Sequence, residues 1–149
     1  MSNIFSWAID GKLDDLKHLR ITDINEWNKL VNNIDNPASD EGITALHYAA
    51  RYGRTEFLIF LINEMNANLY AKQINGYTVL HEASVKNQIE TINALITLDH
   101  IKTNSPCLIS TKDNNGNTPI MEACFWNGKE CKACETLLKL GANPEEVVE

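Results

Sequence analysis

An all-α solenoid of stacked helical hairpins is the fold class this chain predicts, on three observations. First, GITALHYAARYG from Gly42, GYTVLHEASVKN from Gly76 and GNTPIMEACFWN from Gly116 superimpose. Each has threonine two residues after the glycine, an apolar residue four after and alanine seven after. Second, apolar stretches follow at a constant offset, with Leu61 eight residues after Gly53 and Leu95 eight after Asn87. Third, an apolar fraction of 44% over 149 residues suits one core-forming domain, and self-similarity at a near-constant period marks a repeat architecture.

Each element has a local cause. Gly42, Gly76 and Gly116 stand where the chain must reverse, and glycine takes positive φ without the clash a Cβ brings. Thr44, Thr78 and Thr118 are placed to cap the first free amides of a helix, and Pro119 suits the first helical position. Ala49, Ala50, Ala83, Ser84, Ala123 and Cys124 follow one turn later, small enough for neighbouring helices to lie close. FLIFLI, from Phe57 to Ile62, has the periodicity of a buried strand or a buried helix, and its alignment with NALITL assigns it to a second helix. ETLLKLGANP ends with Gly141 as the helix stop.

The three aligned lines resemble the ankyrin repeat, whose signature runs from a glycine hairpin turn into T-P-L-H-x-A-A on a short helix. Leu46 with His47 and Leu80 with His81 keep it; the third copy departs to Ile120 and Met121 but keeps Pro119. FSWAIDGKLDDLKHL sets Ala8 three before Gly11 and Leu19 eight after it, as a degenerate N-terminal copy without T-x-L-H, and terminal repeats are commonly atypical. The implied architecture is an ankyrin-repeat solenoid in a single domain over 1–149. An N-terminal cap with an added helix spans 1–34, and repeats span 35–69, 70–108 (with a loop insertion) and 109–144, before a tail at 145–149.

The insertions show as breaks in the period. Gly42 to Gly76 is 34 residues, but Gly76 to Gly116 is 40, and Leu19 to Gly42 is 23 against 15 for Leu61 to Gly76. EWNKLVNNI places Trp27, Leu30, Val31 and Ile34 on one helical face, so a short extra helix is expected there, anchored by Trp27 and covering Ile59. HIKTNSPCLIS is expected to be a loop.

Composition narrows the function classes. The net charge is −7 and no Lys/Arg stripe offers the footprint of a phosphate-backbone binder, so nucleic acid is not expected as partner. No apolar run reaches the roughly 20 residues a membrane span requires. Charged residues at Asp10, Lys12, Asp14, Asp15 and Lys17 break any secretory apolar region, so a cytoplasmic protein with reduced cysteines is expected.

Residues that could carry chemistry have structural readings. Histidine is the usual acid or base near neutral pH, but the resemblance implies that His47 and His81 bond their own threonine to a neighbouring loop. Cys131 and Cys134 form C-x-x-C and, with Cys107 and Cys124, could make a zinc- or redox-responsive regulator. Yet zinc is usually held by two paired knuckles, and Cys131, Cys134, Leu137 and Leu138 share a helical face, as core members do. Cys107 with His100 lacks the third group that nucleophilic catalysis needs, and no paired carboxylates or phosphate-binding glycine loop appear. No enzyme, cofactor or metal is expected.

What the resemblance implies instead is a monomeric module that binds a protein partner as adaptor, inhibitor or host-directed effector. Hairpin tips and inner helices form its concave face. The outward positions in that register are Asp40, Glu41, Ile43, Arg51 and Tyr52; then Ile74, Asn75, Tyr77, Val85 and Lys86; then Asn114, Asn115, Asn117, Phe125 and Trp126. Arg51, Tyr52, Tyr77, Phe125 and Trp126 include the residue types enriched at binding hot spots. Phe125 and Trp126 have a second reading, as cover for the open end of the stack.

Overall fold

A computed structural model describes residues 3–128 and 130–146. Among the described residues the regular structure is helical, with no strand. Helix pairs follow in order: α1 (Ile4–Asp10) with α2 (Leu13–Thr22), α4 (Ala45–Arg51) with α5 (Thr55–Met65), α6 (Val79–Val85) with α7 (Ile89–Lys102), and α8 (Pro119–Asn127) with α9 (Lys132–Lys139). An additional helix, α3 (Ile24–Asn32), follows α2. α1, α4, α6 and α8 pack in series as an inner layer, and α5, α7 and α9 pack in series outside it.

The inner helices α4 and α6 have seven residues each, too few to persist alone, so burial must hold them. Ala45, Leu46, Ala49 and Ala50 of α4 and Val79, Leu80, Ala83 and Ser84 of α6 are all buried, and their small members allow one helix to approach the next. In α5, Phe57, Leu58, Leu61 and Ile62 are buried, which settles FLIFLI as helix.

Hairpins join the pairs and touch one another. At the turns Gly76 N–H bonds Gln73 O at 2.9 Å and Gly116 N–H bonds Asp113 O at 3.0 Å. Successive tips are linked by Ile74 N–H to Glu41 O at 2.8 Å and Asn114 N–H to Asn75 O at 3.0 Å. Gly76 serves both needs: its φ is +84°, and a Cβ there would lie 2.7 Å from the Asn114 backbone nitrogen. The end of α9 is a glycine stop, with Gly141 N–H to Leu138 O at 3.2 Å and Ala142 N–H to Leu137 O at 2.9 Å.

Both insertions depart in detail from expectation. Trp27 of α3 is buried and meets Phe60 edge-on at 6.0 Å between centroids, so the aromatic it packs on belongs to the position after Ile59. The second insertion is only partly loop: α7 runs on through His100, Ile101 and Lys102, and a 3-10 turn forms at Leu108–Ser110. Buried Asp99 sets this shape, accepting from Cys107 N–H and Leu108 N–H at 2.9 Å each and from Tyr70 O–H at 2.7 Å. A carboxylate that satisfies two adjacent amides pins the returning chain and drives Leu108 into the core. At the C-terminal tail, Pro144–Glu146 form a 3-10 turn and residues 147–149 lie outside the described residues.

Two substitutions test this packing. Asp99→Ala should cost about 3 kcal/mol in urea unfolding, because it strands three donors at once. Ala49→Leu, at a site with no free space between inner helices, should cost about 1 to 3 kcal/mol by the same measurement.

Candidate partner-binding face

Two histidines organise the ground beneath the concave face. His47 Nδ1 accepts from Thr44 N–H at 3.2 Å and lies 2.8 Å from Thr44 Oγ1, while Thr44 Oγ1 accepts from His47 N–H at 3.3 Å. With Nδ1 accepting, Nε2 carries the proton and donates to Ala71 O at 3.1 Å, in the loop leading to the next hairpin. His81 repeats the arrangement with Thr78 and donates to Asn117 O at 2.9 Å. Both rings are buried, and burial holds both below the usual histidine pKa, so they work as neutral bridges between repeats.

The third repeat differs because Met121 replaces the histidine. Its Sδ accepts from Thr118 N–H at 3.4 Å, and the buried Thr118 hydroxyl has no partner. Thr118 therefore occupies the N-cap position of α8 without the side-chain bond expected of it, whereas Thr44 and Thr78 make theirs.

Twelve of the fifteen predicted positions line two adjoining cavities on the face. Glu41, Ile43, Arg51, Tyr52, Val85 and Lys86 line one; Asn115, Asn117 and Phe125 line the other; Asn75, Tyr77 and Trp126 line both. Asp40, Ile74 and Asn114 are exposed on the hairpins but line neither. Ile43 is a correction: it borders the first cavity but is only 5% exposed, so it does not point outward as expected.

Arg51 and Tyr77 face the cavities but are already engaged. Arg51 grips Glu82 of the next repeat with two bonds, Nε to Oε2 at 2.8 Å and Nη2 to Oε1 at 3.1 Å. Gln73 Nε2 adds a bond to Oε1 at 2.7 Å, and the guanidinium lies 5.4 Å from the Tyr48 ring centroid. Tyr77 stacks on His81 at 5.1 Å and donates its hydroxyl to Glu122 Oε2 at 2.5 Å. Burial first, then that bond to Glu122, pushes the Tyr77 hydroxyl well above the usual phenol pKa.

Glu82 and Glu122 were not singled out in the sequence. Each stands four residues after its threonine cap, is buried, and receives side chains from the preceding repeat. Glu122 also accepts from Asn117 Nδ2 at 2.9 Å and Trp126 Nε1 at 3.0 Å. Burial works to raise its pKa, but the bonds it accepts from Tyr77, Asn117 and Trp126 more than offset this and hold it below the usual carboxylate value. The only sequence signal was the equivalence of the two positions, since a glutamate on a helix otherwise reads as solvated.

What remains free on this face is largely aromatic. Phe125 is 78% exposed and Trp126 62%, in an edge-on pair at 5.2 Å, and Tyr52 and Ile74 are also exposed.

The four cysteines are all free thiols. Cys131 is buried and caps α9, its Sγ accepting from Cys134 N–H at 3.1 Å, and Cys107 is exposed beside the 3-10 turn. Burial, and then the Cys124 and Cys131 sulfurs, push the Cys134 thiol above its usual pKa. Among the described residues no group of three or more His, Cys, Asp or Glu side chains is arranged to hold a metal ion. Nor is any described helix long and apolar enough to cross a membrane.

Sequence comparison agrees with this architecture. A profile for ankyrin repeats in three copies matches residues 5–107, and one for a single ankyrin repeat matches residues 115–147. The chain belongs to the ankyrin-repeat family. It is 37% identical over 71 residues to mouse (Mus musculus) SMC5-SMC6 complex localization factor protein 1, covering 48% of this chain and 6% of that protein. It is 34% identical over 104 residues to Drosophila melanogaster transient receptor potential cation channel subfamily A member 1, covering 69% of this chain and 8% of that protein. It is 30% identical over 115 residues to the Saccharomyces cerevisiae target of rapamycin complex 2 subunit AVO2, covering 76% of this chain and 24% of that protein. The chain thus spans a quarter or less of the length of these relatives.

The histidine bridges give a pH signature. A ring held below its ordinary pKa of 6.5 contributes stability that is full above that pH and is lost as pH falls through the folded-state value. Melting temperature should therefore drop between about pH 6.5 and pH 5, where most carboxylates are still ionised. His81→Gln should lower the melting temperature at pH 7 and flatten the slope in that window, as followed by circular dichroism.

Proposed function

We propose that the chain is a non-enzymatic interaction module that binds a protein partner along its concave face. The observation that carries this reading is the exposed row of Tyr52, Ile74, Phe125 and Trp126, apolar surface that the stack does not use for its own packing. Apolar side chains gathered on one face of a folded domain mark interaction surfaces. The fold supports the same reading, because repeat hairpins leave their tips and inner helices free for recognition. So do the names of two relatives, one a complex localization factor and one a complex subunit. Its setting is the cytoplasm, as adaptor, inhibitor or host-directed effector, and it acts as a monomer without cofactor.

The geometry selects the variant for testing. Arg51 and Tyr77 hold repeats together, so replacing them confounds affinity with stability. Tyr52, Ile74 and Phe125 are exposed and carry no side-chain polar bond. Affinity capture with the wild-type chain should enrich a discrete protein that a Tyr52→Ala/Ile74→Ala/Phe125→Ala variant loses, with melting temperature changed by less than about 2 °C. Retention of every captured protein by that variant would remove the concave face as the binding surface.

A further inference from the structure

The two junctions between full repeats have the same acidic floor but different occupants above it. At the first, Glu82 receives the guanidinium of Arg51, the ninth residue after Gly42, stacked near Tyr48. At the second, the equivalent carboxylate is Glu122, and the ninth residue after Gly76 is Val85. No cation reaches Glu122: among the described residues the ion pairs are Arg20–Glu64 and Arg51–Glu82. Its donors are the neutral groups of Tyr77, Asn117 and Trp126.

Asp113, in the hairpin of the same repeat, is 6% exposed, with its Oδ2 buried and without a hydrogen-bond partner among the described residues. Its other oxygen accepts from Asn115 N–H at 2.8 Å and Asn117 N–H at 2.9 Å. A carboxylate supplied, among the described residues, only with neutral donors leaves negative potential at the edge of an open site. Glu122 lines a cavity of about 570 Å³ whose walls include Tyr77, Phe125 and Trp126. Such walls suit a planar cation, since guanidinium stacks on aromatic faces and is weakly hydrated.

We propose that this cavity receives an arginine side chain from an extended, basic segment of the partner protein. It would take the place at the second junction that Arg51 fills at the first. The proposal rests on the protein-binding reading and specifies its anchor. Arginine fits better than lysine because the occupied junction shows a fork engaging both carboxylate oxygens. The indole of Trp126, which covers Glu122 Oε2 in the free chain, either stays as a stacking wall or yields its bond to the incoming fork.

The test uses the isotope-labelled chain and Nα-acetyl-arginine amide as probe, with the citrulline and lysine counterparts as comparisons. Arginine amide should shift the Trp126 indole N–H and Tyr77 amide resonances saturably, with an affinity on the order of 1 mM, as suits a single side chain. Citrulline, which keeps the shape and loses the charge, should bind at least about tenfold more weakly. Val85→Arg should abolish the arginine shifts, because it supplies the cation from within, and Glu122→Gln should weaken them about tenfold. Equal shifts with citrulline, or undiminished arginine binding in a folded Val85→Arg variant, would overturn the proposal. Either result would leave the protein-binding reading intact, because the Tyr52/Ile74/Phe125 capture comparison judges that separately.

Discussion

The imidazole bridge from one repeat to the next is the constraint on which this stack depends. A seven-residue helix has a nucleation cost that its own hydrogen bonds barely repay, so α4 and α6 exist because neighbours hold them. His47 and His81 make that hold directional. Each ring fixes its own helix start through the threonine cap and, with the opposite nitrogen, fixes a backbone carbonyl beyond its own helix pair. The bond works only with a neutral ring of one tautomer, which burial enforces. Where Met121 takes over, the local half of the arrangement survives as a weak sulfur acceptor and the outward half is gone. Gly116 agrees with this: a Cβ there would meet nothing within 4 Å, whereas at Gly76 it would strike the next hairpin.

A second set of bonds runs across the same junctions nearer the concave face. Glu82 gathers Arg51 and Gln73; Glu122 gathers Tyr77, Asn117 and Trp126. The groups that hold the repeats in register are therefore also the groups that floor the candidate binding surface. Residue type alone misjudges such positions. Arg51 and Tyr77 have hot-spot composition yet are partly spent on internal bonds, while Phe125 has no polar bond and is left to solvent.

Legibility from sequence followed the number of residues each feature needs. Gly42, Gly76 and Gly116, the capping Thr44 and Thr78, and the small Ala49 and Ala83 each answer a local backbone or spacing demand, so one residue at one register position announces the element. FLIFLI was resolvable because register supplied what periodicity could not. The second insertion was less legible: α7 continues to Lys102 because Asp99 inside it captures amides eight and nine residues ahead, which no window of helix periodicity contains. Ile43 is likewise less exposed than its register position suggests, only 5% of its surface meeting solvent. The role of Glu82 and Glu122 is a property of pairs 31 and 45 residues apart, which a single sequence shows only after the repeats have been laid over one another.

Because each repeat touches only its neighbours, stability in this fold is close to a sum of repeat and junction contributions. The junctions here are not equal. The first combines a histidine bridge with a charge-compensated carboxylate, whereas the second combines a histidine bridge with a carboxylate that meets no cation among the described residues. A largely buried carboxylate without a compensating charge is costly to the compact state, so the second junction is the point at which an external cation would add most. Any ligand that supplies it binds the folded chain and not the unfolded one, and so draws the repeat of α8 and α9 more firmly onto its neighbour. Recognition and cohesion at that end of the stack would then be one equilibrium, with the aromatic pair on α8 reporting both.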